Sequence, residues 1–102
     1  MVSLGLAYKN GGLVNRSINR FKEVLGVQSD NVSALNNLGL IRLQKGQYDQ
    51  AIALFRKTRQ VKPDYLEGLY NLGLAYYFNG DLDGAIDAWE KVASVDPAFK
   101  NV

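Results

Sequence analysis

Apolar and polar residues follow one another along this chain at the spacing of helices, and the pattern itself returns every 34 residues. Its clearest mark is "SLGL" at 3–6, then "NLGL" at 37–40 and again at 71–74. A large apolar residue stands three before each of these leucines (Met1, Leu35, Leu69), and Tyr8, Arg42 and Tyr76 stand three after each glycine. Gly12, Gly46 and Gly80 come next, placed as turn glycines. Ser17, Ala51 and Ala85 follow, each leading an isoleucine, and then Phe21, Phe55 and Trp89. Ser29, Pro63 and Pro97 close the units.

Each unit reads as two helices. Leu35, Leu38, Gly39 and Arg42 fall on one stripe of a 3.6-residue helix, and Ala51, Ile52, Phe55 and Thr58 on one stripe of the next. Without a Cβ, Gly39 lets a neighbouring helix come close. Gly46 and Gly80 end the first helices in the left-handed conformation that glycine adopts at little cost. Pro63 and Pro97 stop the second ones, because the residue before a proline avoids helical dihedrals. Asp64 with Glu67 has the spacing of a capping box for the helix that follows. A helix pair of this size leaves its apolar faces open, and stacking copies covers them. The expectation is therefore all-α: a right-handed α-solenoid of three antiparallel helix pairs. It forms one domain over 1–102, with repeats at 1–31, 32–65 and 66–99.

These residues resemble the tetratricopeptide repeat, whose pattern is W-x₂-L-G-x₂-Y…A-x₃-F…P on a 34-residue period. The likeness runs through the whole chain except its last three residues. It is strong in units two and three and weaker in unit one, where Ser17 and Ser29 replace alanine and proline. Arg42 takes an aromatic position, so either looser packing between units two and three or an ion pair is expected there. The chain starts inside a first helix and stops just after Pro97 without a polar closing helix, so it reads as an excerpt from a longer array.

Composition narrows the chemistry. The 102 residues are 47% hydrophobic and 22% charged, as in soluble globular proteins, and a soluble, cytoplasmic rather than secreted protein is expected. No apolar run reaches bilayer length, and "MVSLGLAYKNGG" lacks the basic leader and apolar core of a signal peptide. There is no cysteine and no histidine, which removes Ser-His, Cys-His and His-metal constellations. No catalytic residue, metal ligand or cofactor is expected. Asp81, Asp83, Asp87 and Glu90 read as a solvated first turn that suits the positive helix end. The net charge of +2 conceals a gradient: 1–62 carry ten Lys/Arg against three acids, and 63–102 carry two against seven. Arg56, Arg59 and Lys62, with Lys57 beside them, form a basic stripe that reads as an outer solvated face, and nucleic acid is not the expected partner.

The first helices are apolar on a second side as well. Off the packing stripe lie Leu6, Lys9 and Asn10; Asn36, Asn37, Leu40, Leu43 and Gln44; and Tyr70, Asn71, Leu74, Tyr77 and Phe78. A surface helix with a single buried stripe is polar there. The family resemblance implies that these positions line a concave groove gripping a peptide, with about a third of them, Phe78 above all, packing on the adjacent unit instead. Asn37 and Asn71 resemble the asparagine ladder of the O-linked N-acetylglucosamine transferase family. The positions matching a chaperone-type carboxylate clamp hold Val2, Leu6, Asn37, Glu67 and Asn71, and of these only Asn37 fits. The reading is a non-catalytic module binding a protein or peptide without such a clamp. The alternatives are a self-associating scaffold, with Leu4, Phe21, Trp89 and Val92 exposed at its ends, or the substrate-recruiting arm of an enzyme.

Overall fold

The computed structural model describes residues 11–99. Five helices follow one another: α1 (Gly11–Val27), α2 (Val32–Gln44), α3 (Tyr48–Val61), α4 (Leu66–Phe78) and α5 (Leu82–Val95). There is no strand among the described residues. The expected first helix of unit one, with Leu6, Lys9 and Asn10, falls outside the described residues.

Local chemistry sets most boundaries. Gly46 and Gly80 have φ of 77° and 85°. Behind Gly46, the N–H of Gln47 donates to the carbonyl of Arg42 at 2.9 Å and that of Gly46 to Leu43 at 3.0 Å. This is the paired bonding that ends a helix at a left-handed residue. Gly80 repeats it, Asp81 donating to Tyr76 at 2.9 Å and Gly80 to Tyr77 at 3.1 Å. α3 and α5 stop at Val61 and Val95, two residues before Pro63 and Pro97. Asn31 caps α2 by accepting from the Ala34 N–H at 2.9 Å, and Asp81 caps α5 by accepting from Gly84 at 2.9 Å.

Two boundary expectations are corrected. Gly12 is not a turn but part of α1, and no φ in the left-handed region marks it. Asp81 follows Gly80 and caps α5 with its carboxylate, whereas unit one has Leu13 at that place, whose side chain offers no acceptor. The box of Asp64 and Glu67 does not form either. Tyr65 is the residue before α4, and it makes no side-chain cap.

The core lies between neighbouring pairs. Ala51 and Phe55 of α3, Leu72 and Ala75 of α4 and Ala88 of α5 form one buried cluster, flanked by Leu40, Leu43, Ile52 and Tyr76. Phe55 is fully buried because Gly39 leaves room for it; a Cβ there would lie 2.5 Å from its ring. Trp89 covers Gly73 in the same way. Thus an aromatic ring, rather than a helix backbone, exploits both Leu-Gly pairs among the described residues. Between units, α3 meets α4 at Gly68, where a Cβ would lie 2.8 Å from the Thr58 methyl. Arg42 pairs with no acid among the described residues; it donates to Gln47 Oε1 at 2.8 Å.

Candidate functional site

Helices α2 and α4 each touch the second helix of their own pair, and α4 also packs on α3 of the pair before it. Being contacted on several sides explains their apolar composition. It also divides the candidate groove residues into two groups.

The first group is internal. Asn36 and Asn71 are 5% and 3% exposed, and the Asn71 amide donates to Asn36 Oδ1 at 3.0 Å. The bond links α2 to α4, and both side chains are buried beneath the surface. Leu40 and Leu43 are half-buried and packed on the core cluster. Asn37, half-buried, reaches back to Ser33 Oγ at 3.4 Å.

The second group is open. Tyr77 and Phe78 are 50% and 54% exposed, Gln44 is exposed, and Tyr70 and Leu74 are half-buried. Phe78 does contact the adjacent unit, stacking on Tyr48 with centroids 6.1 Å apart, yet it keeps half its surface. The rings continue from there. Phe78 meets Tyr77 at 5.5 Å, Tyr77 meets Trp89 at 6.0 Å, Trp89 meets Tyr70 at 6.3 Å and Tyr70 meets Phe99 at 6.1 Å. The Trp89 indole N–H anchors the row by donating to the Tyr70 carbonyl at 3.2 Å. Tyr48, whose repeat equivalents Val14 and Leu82 are aliphatic, reaches the row only across the boundary between units two and three, and Phe99 joins it from beyond the end of α5.

The charged groups sort out differently. Asp87 pairs with Arg59 at 3.6 Å, joining α5 to α3, and Lys62 lies over the Tyr65 ring at 5.9 Å. Arg56 and Lys57 are exposed on α3. Asp81 is the α5 cap. Val92, expected at an open end, is fully buried instead. It matches Thr58 one unit earlier, also fully buried, and Val24 in unit one, which is half-buried. No described helix is long and apolar enough to cross a membrane.

Comparison with known proteins agrees with this architecture. A TPR repeat model matches residues 39–80, and a tetratricopeptide repeat model matches 66–99. Together they span more than half of the chain, and residues 39–99 belong to the tetratricopeptide-repeat family. A structure titled "Crystal structure of MamA protein" superposes with a TM-score of 0.77 at 24% identity, over 90% of this chain and 51% of that one. A second, "MamA MSR-1 C2", gives 0.73 at 30% identity, over 92% and 54%. A third, "Crystal structure of MamA", gives 0.51 at 22% identity, over 97% and 78%. The chain thus spans about half the length of the first two structures. No curated protein matches it. Repeats of this family support a protein-interaction or scaffold module.

Proposed function

We propose that this chain is a non-catalytic module that takes a peptide or a helix of a partner protein on the open side of its inner helices. One observation carries the reading. α4 buries Leu69, Leu72 and Ala75 on its packed side, yet leaves Tyr77 and Phe78 half exposed. Packing within and between the repeats leaves about half of these two rings uncovered. Adjacent exposed apolar residues of this kind are contact surfaces in soluble proteins. The test is selection from a random peptide display library on the chain and on its Tyr77→Ser/Phe78→Ser variant. Binders that need both rings support the reading. Binders that hold the variant equally well contradict it.

A second reading, self-association end to end, rests on repeat equivalence. Leu43 and Ile52 are half-buried against the core cluster, whereas their counterparts 34 residues on, Tyr77 and Ile86, are 50% and 52% exposed. In this reading another copy supplies the missing cover, and the opposite charge balance of the two halves of the chain orients it. Sedimentation velocity over a concentration series at low and high salt decides the matter. A single monomer boundary throughout removes this second reading and leaves the first.

A further inference from the structure

We infer that Asn79 is a deamidation site, held unreactive while units two and three stay joined and convertible once the turn between α4 and α5 opens. The sequence supplies the reactivity and the fold supplies the hold.

Asn79 precedes Gly80 and is exposed on the connection between the two helices. A following glycine has no Cβ, so its main-chain nitrogen approaches the asparagine side chain without hindrance. The Gly80 nitrogen gives up its proton to solvent base and bonds to Cγ of Asn79. The Cγ–Nδ2 bond breaks and ammonia leaves. Water then opens the cyclic imide at either carbonyl, with no change of oxidation state. Opening at the side-chain carbonyl leaves aspartate. Opening at the main-chain carbonyl leaves isoaspartate, whose backbone runs through Cβ and is one carbon longer. Asn10 also precedes a glycine, but it lies outside the described residues.

In the fold both reacting groups are occupied. The Gly80 N–H donates to the Tyr77 carbonyl at 3.1 Å, within the bonding that ends α4. The Asn79 side-chain amide donates to Asp49 Oδ1 at 3.2 Å, tying this turn to the first turn of α3. Attack needs the Gly80 nitrogen freed and the Asn79 side chain turned, which breaks both bonds. The rate therefore follows the population in which the turn has opened.

Conversion then works against closure. A carboxylate at 79 has no proton to donate and faces Asp49, which has no ion-pair partner among the described residues. Both groups are exposed, and Lys45 stands exposed four residues before Asp49, so that repulsion is modest. Isoaspartate has the larger effect. Its extra carbon separates the Asn79 N–H, bonded to Ala75 and Tyr76, from the Gly80 and Asp81 N–H groups, bonded to Tyr77 and Tyr76. The end of α4, beside Phe78, then no longer closes in register.

The experiment incubates the chain in mildly alkaline buffer and follows each asparagine by peptide mass spectrometry, with the two products resolved by chromatography. In urea Asn79 should convert about tenfold faster than Asn19, which precedes arginine. In native buffer Asn79 should react about tenfold slower than in urea, or slower still. Asp49→Ala should raise the native rate about threefold or more and leave the urea rate unchanged. Asp49→Asn, which loses the same charge but keeps an acceptor oxygen, should restore the slow rate. Protein carrying isoaspartate at 79 should melt at a lower temperature than unconverted protein. Equal rates at Asn79 and Asn19 in urea would remove the site. Equal native and urea rates, or no response to Asp49→Ala, would remove the hold. An unchanged melting temperature would remove its consequence for the junction.

Discussion

Asn71 donates its side-chain amide to Asn36 Oδ1 over 3.0 Å, and both groups are sealed between α2 and α4. Inside a protein such a bond stabilises only modestly, but stranding one partner costs about 1–3 kcal/mol. Asn71→Leu and Asn36→Leu should each destabilise by about that amount. The double variant should lose clearly less than the two losses added, because two apolar groups replace the pair. Urea denaturation of all four proteins measures the coupling. Strictly additive losses would mean the pair does not act as a unit.

Glycine substitutions should separate by environment. Gly39→Ala pushes a methyl into the Phe55 ring, and overpacking of this kind costs about 1–3 kcal/mol. Gly12 lies in α1 with nothing within 4 Å of a built Cβ. Gly12→Ala should therefore be neutral or stabilising by up to about 1 kcal/mol. Thermal melts of the two variants give opposite signs if α1 includes Gly12. A large loss in Gly12→Ala would restore the turn that the 34-residue register suggests.

Burial should also rank Leu72 far above Asp87. Leu72 is 1% exposed at the centre of the core, and Leu72→Ala should cost about 2–5 kcal/mol. The Arg59–Asp87 pair is 3.6 Å apart on side chains 32% and 64% exposed. Asp87→Asn should then cost less than about 1 kcal/mol. Denaturant midpoints of the two variants test the order, and a larger loss in Asp87→Asn would contradict it.

How far the sequence reveals this molecule depends on the kind of contact. Helix pairs, the stops before Pro63 and Pro97 and the caps at Gly46 and Gly80 follow from local chemistry, so the fold is legible from one chain. The fate of Asn71 is not. Register pairs it with Asn37, but its actual partner is Asn36, 35 residues away. That choice is set by the rotation of α4 against α2, which no single helix encodes. The aromatic row is hidden for the same reason, since Tyr48 reaches Phe78 only across two units. Val92 misleads because repeat periodicity gives its place on the helix but not what covers it.

Recognition should not require a free C-terminus in the partner. Of the clamp-equivalent positions among the described residues, Asn37 alone fits and its amide reaches Ser33, while Asn71 is internal and Glu67 is an acid. None of the three supplies a cation to receive a carboxylate. A selected peptide and its C-terminally amidated twin should bind with equal affinity in a titration; a large loss on amidation would reveal a clamp elsewhere on the chain.

The central claim is that the inner helices, and not the basic outer ones, carry the binding surface. Backbone amide shift mapping with a display-selected peptide tests it directly. The account expects the largest perturbations along α4 at Leu74, Tyr77 and Phe78, with the Trp89 indole N–H shifting alongside. Perturbations gathered instead on Arg56, Arg59 and Lys62, with α4 unmoved, would contradict it.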